Sequence, residues 1–196
     1  MDTIIQDKKE LRGEVLRHRT ALPESKIIAD SAVIIDKIQA LDAYKTSGTV
    51  MCFIDFKKEV MTKGFLRDTL ALGKRVLVPI IMTEPDGSRT MRASQLLDLD
   101  TDLESGTMGI LEPKPSCRRF VDPVEIDLFV VPGLAFDVQK NRLGYGAGFH
   151  DVMLRKLRSD CVTAAACFDF QVFNAIPVKD YDVPVQMILT EKRTIC

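Results

Sequence analysis

The residues best equipped for chemistry fall in one run, Asn141 to Asp151: Asn-Arg-Leu-Gly-Tyr-Gly-Ala-Gly-Phe-His-Asp. Gly144, Gly146 and Gly148 alternate with larger residues behind Arg142, and Val152 to Leu157 follow with helical character. Glycine tolerates positive φ and lets a ligand approach the backbone closely. A helix opening at such a loop presents unpaired N–H groups and a partial positive charge to an anion. The run reads either as a phosphate cradle with an arginine clamp or as a strand-to-helix turn rich in glycine for steric reasons. Asp151 is either a helix-dipole partner or, beside a phosphate, a ligand of a bridging Mg²⁺. His150 could touch a phosphate or move a proton, or simply be exposed near a helix start. Lys8 and Arg12, four apart, share one side of an N-terminal helix and could meet a phosphate or form a charged solvent face.

Other nucleotide motifs are absent. No G-x-x-x-x-G-K-[ST] occurs, which excludes an ordinary P-loop. The spacing here is G-x-G-x-G, and about ten residues separate Val131 from Gly144, so a dinucleotide turn fits poorly. With two histidines in the chain, neither a Ser-His-Asp nor a Cys-His triad assembles convincingly.

The elements that must position these residues alternate helix and strand. Helices are expected over about Asp2 to Arg19, from Pro23 to about Tyr44, and from Thr62 to Leu72 with Gly73 as a stop. Strands are expected at Thr49 to Ile54, Arg75 to Met82, Thr90 to Ala93, Ile126 to Val131, Val162 to Phe168 and Val185 to Leu189. Glu84-Pro85-Asp86-Gly87 marks a turn in an edge hairpin. Ser94 to Asp122 reads as an irregular surface segment, with Gly109 to Pro113 a candidate binding loop. The pattern predicts one α/β domain over residues 1–196, a three-layer α/β/α sandwich around a mainly parallel sheet with a small edge hairpin. Ligands of such sheets lie beyond the carboxyl ends of the strands, where Glu59, Pro132 to Gly148, Asp169 and the segment after Cys167 should converge.

Composition agrees with a globular enzyme or binding protein. The 196 residues are 46% hydrophobic and 28% charged, with a net charge of −1 that leaves no electrostatic footprint for nucleic acid. Five dispersed cysteines without a CxxC pair argue against structural zinc and suit a reducing cytoplasm. Cys52, Cys161 and Cys167 lie in apolar segments and are expected to be buried thiols. Neither a secretory signal nor a membrane span is expected.

Arg142 to Asp151, read as R-L-G-Y-G-A-G-F-H-D, resembles the R-L-G-x-G-x-G-Y-Y-D signature of the 5-formyltetrahydrofolate cyclo-ligases, also called methenyltetrahydrofolate synthetases. Lys8-Lys9-Glu10-Leu11-Arg12 is similar to the family's K-x-x-L-R element, Pro132 to Asp137 to its P-G-L-A-F-D strand end, and Asp182 to Val185 to its D-V-P-L. The resemblance implies ATP-dependent closure of 5-formyltetrahydrofolate to 5,10-methenyltetrahydrofolate through phosphorylation of the formyl oxygen. It implies ATP contacts at Lys8, Lys9, Glu10, Leu11 and Arg12, and at Arg142, Leu143, Gly144, Tyr145, Gly146, Ala147, Gly148, Phe149 and His150. Arg142 and Tyr145 would be catalytic. Ile54, Glu59 and Tyr145 to Phe149 would border the folate, with Glu59 bonded to the pterin. Asp151 and Gln186 would hold Mg²⁺, and the enzyme would act as a cytoplasmic monomer on small molecules. Phe149-His150 replaces the family's tyrosine pair, Ala147 a glycine or lysine, and Gln186 a metal carboxylate. Two alternatives follow: a diverged relative using Mg·ATP on another heterocycle or amide, and a non-enzymatic nucleotide sensor.

Overall fold

The computed structural model describes residues 7–106 and 109–196. In chain order the helices are α1 (Lys8–Ala21), α2 (Glu24–Ala40), α3 (Asp42–Thr46), α4 (Lys63–Ala71) and α5 (Phe149–Leu154). The strands are β1 (Thr49–Cys52), β2 (Arg75–Thr83), β3 (Arg89–Leu96), β4 (Leu103–Ser105), β5 (Leu111–Pro113), β6 (Phe120–Val121) and β7 (Leu128–Val131). They continue as β8 (Ala135–Asp137), β9 (Arg142–Leu143), β10 (Val162–Ala166), β11 (Val172–Phe173), β12 (Met187–Leu189) and β13 (Thr194–Ile195).

The unbroken apolar runs become the centre of an eight-stranded sheet, ordered β13-β12-β10-β7-β1-β2-β3-β6. From β12 to β2 neighbouring strands are parallel. Antiparallel pairing is confined to β13 at one edge and to β3 and β6 at the other. Strand alternation sends Val50 and Cys52 to one face, where they pack with Ile34 and Ile38 of α2 and Phe65 and Leu66 of α4. Met51 points to the opposite face, into a cluster with Phe129, Phe136, Met153 and Leu154. The expected three layers are therefore present. On that second face α5 shares the outer layer with a small sheet, β11-β8-β9.

Helix α1 lies on this small sheet, burying Leu11 and Val15 against Leu134, Ala135 and Leu143. Its first turn is capped by the Asp7 side chain, which accepts from the Lys9 N–H at 2.8 Å. Its last carbonyls, Thr20 and Leu22, accept from Lys58 Nζ at 2.5 and 2.6 Å. No described helix is long and apolar enough to cross a membrane.

Several element boundaries differ from the pattern reading. Residues 2–6 of the expected first helix lie outside the described residues. The second helix divides at Leu41, whose extended backbone ends α2 and whose side chain packs on the core. The segment from Ser94 to Asp122, expected to be irregular, contributes the end of β3, the β4–β5 ladder and β6. A carboxylate organises it: Asp102 accepts from the Leu97 N–H and from Arg119 Nη1, each at 2.8 Å. Burial pushes the Asp102 carboxyl up, but these donors more than offset it and hold it at about 2. The Glu84 to Gly87 hairpin forms as expected, between β2 and β3.

Candidate active site

The glycine loop leaves β9 and enters α5, and its entry is fixed by a buried carboxylate. Asp137 accepts from the N–H groups of Gln139 and Asn141 at 3.0 and 2.9 Å and from Asn141 Nδ2 at 2.9 Å. Next in the chain, Arg142 is buried and donates from Nη2 to Asp151 Oδ1 at 2.9 Å. Burial draws the Arg142 guanidinium down from its ordinary value, and Asp151 opposes the shift. Gly144 passes directly over this guanidinium: a Cβ there would stand 2.8 Å from Arg142 Nη1, so a larger residue would displace either loop or clamp. Gly146 has φ +115°, a conformation L side chains rarely adopt, and passes close to Arg12.

The cationic face of α1 closes the loop from one side. Arg12 Nε donates to the Gly144 carbonyl at 2.9 Å. Lys8, one turn earlier, is paired with Asp182. Lys9 and Glu10 are exposed and Leu11 is core, so Lys8 and Arg12 are the members of the Lys8–Arg12 element that meet the loop and its surroundings. Arg19, two turns beyond Arg12, is buried and donates from Nη2 to the Tyr145 hydroxyl at 2.9 Å.

The loop after β1 closes the other side. Asp55 accepts from the N–H groups of Thr62 and Lys63 at 2.9 and 3.0 Å, and the Thr62 hydroxyl donates to Phe53 C=O at 2.8 Å. Within this frame Ile54 and Glu59 are buried. Glu59 Oε2 accepts from the Phe56 N–H at 3.0 Å, and Oε1 accepts from the Tyr145 hydroxyl. Arg19 Nη1 stands 3.5 Å from the same Oε1. Burial pushes the Glu59 carboxyl up, with Tyr145 and Arg19 opposing. The Tyr145 phenol is raised by burial and by the charge of Glu59. Beneath lies a cavity of about 10 Å³, lined by Phe53, Pro132, Gly133 and Ala166 at the strand ends and by Arg19 and Glu59. That is room for about one water.

Other nominated residues are placed differently. His150 turns inward and stacks on Phe129 at 6.1 Å, with Nε2 buried and without a hydrogen-bond partner among the described residues. Burial and the nearby Arg142 pull its imidazole down to about 3. Phe149 is half-buried on the second core cluster, with the Arg89 guanidinium 5.7 Å from its ring centre. Helix α5 has six residues, so the positive charge around the loop comes from Arg12, Arg142 and Lys8 more than from a helix dipole. Asp169, expected to join the cleft, instead bonds Thr190 and Arg193 at 3.0 and 2.7 Å. Gln171 is in the cavity wall in its stead, donating to the carbonyls of Gly133 and Leu134 at 3.0 and 2.9 Å.

Asp151 and Gln186, expected to hold magnesium, are each engaged by protein groups in this structure. Asp151 Oδ1 is taken by Arg142 and by the Val183 N–H at 3.1 Å, which places a guanidinium on the carboxylate a metal would need. The Gln186 amide oxygen accepts from the Thr163 N–H at 3.1 Å and its Nε2 donates to Cys161 C=O at 3.3 Å, at the amino end of β10. Among the described residues no group of three or more His, Cys, Asp or Glu could hold a metal ion. The pattern reading overlooked Arg19, Gln171 and Asp182 as site residues. Arg19 carried a signal, because positions 8, 12 and 19 share one helical face. Gln171 falls in the segment after Cys167 that was expected at the strand ends, but its bonds to two carbonyls are made by the fold.

Comparison with known proteins finds relatives along nearly the whole chain. The model of the 5-formyltetrahydrofolate cyclo-ligase family matches residues 4–191. The chain is 29% identical over 191 residues to the 5-formyltetrahydrofolate cyclo-ligase of Mycolicibacterium smegmatis, covering 97% of this chain and 96% of the relative. It is 27% identical over 199 residues to the mouse enzyme of the same name, covering 96% of each. The solved structure of Aquifex aeolicus 5,10-methenyltetrahydrofolate synthetase superimposes with a TM-score of 0.81 at 29% identity, over 95% of this chain and 91% of that one. With the family model matched over nearly its whole length and the same fold in a solved relative, the chain belongs to the 5-formyltetrahydrofolate cyclo-ligase family.

Proposed function

We propose that the family's reaction takes place in the cleft around the glycine loop: ATP and 5-formyltetrahydrofolate give 5,10-methenyltetrahydrofolate, ADP and phosphate. The observation that carries this reading is that one loop is tied on one side to α1, through Arg12 and Gly144, and on the other to Glu59, through Tyr145. Such a loop can wrap a nucleotide and border its acceptor together. The formyl oxygen attacks the γ-phosphorus as the bond to ADP breaks. N10 then attacks the activated formyl carbon, phosphate leaves, and the N10 proton is released. Catalysis is mostly alignment of these atoms and stabilisation of the charge on the transferring phosphoryl group.

In this account Lys8, Arg12 and Arg142 supply the positive charge along the triphosphate, and the backbone from Gly144 to Gly148 lies over it. The Arg142 Nε is buried without a partner among the described residues, so the clamp retains a donor for a phosphate oxygen. Glu59 accepts N–H bonds from the pterin, with Ile54 and the segment Tyr145 to Phe149 beside the folate. Magnesium enters as the ion carried on the nucleotide's phosphates, its remaining ligands mainly water. The residues assigned to both ligands all belong to one chain, which supports a monomeric enzyme. Phe149 and His150 are engaged with Arg89 and Phe129. Their departure from the family's tyrosine pair thus changes packing behind the loop and gives little support to a different acceptor.

Ligand-induced thermal stabilisation tests the two halves of the cleft separately. Mg·ATP should raise the Tm of the protein, and Arg12→Ala should reduce that rise. 5-Formyltetrahydrofolate should raise it too, and Glu59→Gln should reduce that one selectively. If both variants respond to both ligands as the wild type does, the assignment of the two walls is wrong.

A further inference from the structure

The floor of the cleft is nearly full before any ligand arrives. Glu59 Oε2 is held by the Phe56 N–H, and Oε1 receives both the Tyr145 hydroxyl and the approach of Arg19. The cavity beneath, about 10 Å³, admits about one water and no ring. A pterin that is to bond Glu59 must therefore take the place of the Tyr145 hydroxyl. Tyr145 is free to leave: half of it is exposed, and it sits between Gly144 and Gly146. Arg19 is not, being 4% exposed and fixed in α1, about one turn from Val15 and two from Leu11, the buried anchors that hold the helix to the small sheet. Once Tyr145 departs, Arg19 is the remaining cation beside the carboxylate.

We propose that Arg19 is a positioning residue of the folate step: its guanidinium holds the Glu59 carboxylate aimed into the cleft while the incoming pterin replaces the Tyr145 hydroxyl. This assignment rests on the folate reading above and adds to it a residue outside the glycine loop and outside Lys8–Arg12. The charged and titratable groups acting on Glu59 are Arg19 from α1, Tyr145 from the glycine loop and Asp55 from its own loop. Arg19 and Tyr145 favour the carboxylate, whereas burial and Asp55 oppose it. Loss of Arg19 must then move protonation of Glu59 to higher pH.

The test compares wild type, Arg19→Gln and Arg19→Lys for turnover of 5-formyltetrahydrofolate from pH 5 to 9, with ATP affinity and Tm measured on each. Arg19→Gln removes the charge and shortens the side chain while keeping an amide donor. It should lower kcat/KM for the folate about tenfold or more at neutral pH and shift the acid limb upward by about one pH unit. ATP affinity should stay within about twofold, and Arg19→Lys should restore the acid limb. A fall in Tm, folate turnover and ATP affinity together, with the acid limb unmoved, would assign Arg19 to packing alone and overturn the proposal. Wild-type turnover matched by Arg19→Gln overturns it as well, leaving the reaction assignment standing. A wild type without turnover overturns both.

Discussion

A methyl group at Gly144 would stand 2.8 Å from the Arg142 guanidinium, and that contact decides what the loop tolerates. Gly144→Ala should displace the clamp by a fraction of an ångström to an ångström and lower kcat/KM by about 100-fold. Circular dichroism should show the fold intact; an unimpaired kcat/KM would mean that the loop does not need this approach. Charge burial gives two further residue-level signatures. The His150 imidazole is held near 3, below its ordinary value of 6.5, so the unfolded chain binds this proton first as pH falls. Its contribution to stability is complete above about 6.5 and is lost as pH falls toward 3. His150→Phe should lose less stability than wild type between pH 7 and pH 5 in urea unfolding; equal losses would place the imidazole in water. Glu59 has the opposite sign. Its raised carboxyl favours the neutral form in the fold, a contribution present at acid pH and lost as pH rises through the raised value. Glu59→Gln should accordingly gain stability over wild type on going from acid to neutral pH while losing folate binding. The motif residues were visible in the sequence because glycine spacing and an arginine at a strand end carry a local signal. Arg19 shares a helical face with Lys8 and Arg12, and Gln171 lies in the segment after Cys167, but their particular partners, a carboxylate and two carbonyls, are set by the fold.

At the level of elements, α1 acts as a rigid bar that carries Lys8, Arg12 and Arg19 on one side and Leu11 and Val15 on another. Leu11 is 1% exposed against Leu134 and Leu143. Leu11→Ala should cost about 2–5 kcal/mol in unfolding free energy. It should also weaken ATP binding, because Lys8 and Arg12 lose their platform. Stability lost with ATP affinity unchanged would separate the helix from the nucleotide. Long periodic elements such as α2 and buried runs such as β1 and β7 were readable from the chain, since burial imposes their pattern along its length. The two- and three-residue strands β8, β9 and β11 were not. Such pieces are too short for alternation to register, and the turn between β8 and β9 is set by the Asp137 carboxylate. The stretch from Ser94 to Val121 was opaque for a similar reason: Asp102 and Arg119 hold it with polar bonds where an apolar stripe would have left a periodic trace.

For the whole molecule, the sheet order places β1, β7 and β10 side by side, so their carboxyl ends supply Phe53, Pro132, Gly133 and Ala166 to one floor. The alternation of helices and strands predicted this parallel centre. The small sheet under α1 had no counterpart in that prediction, yet it brings Arg12 and the glycine loop together. The two residues expected to hold magnesium have protein partners in the fold. Gln186 is engaged by the backbone of Thr163 and Cys161, and Asp151 by Arg142. The family membership of the chain and the geometry of the cleft converge on a single reaction. The direct test incubates the purified protein with Mg·ATP and 5-formyltetrahydrofolate and follows the near-ultraviolet absorbance of the methenyl product. The account predicts product formation that requires ATP, releases one ADP per product, and is sharply reduced in Gly144→Ala. ATP binding without any methenyl product would contradict it.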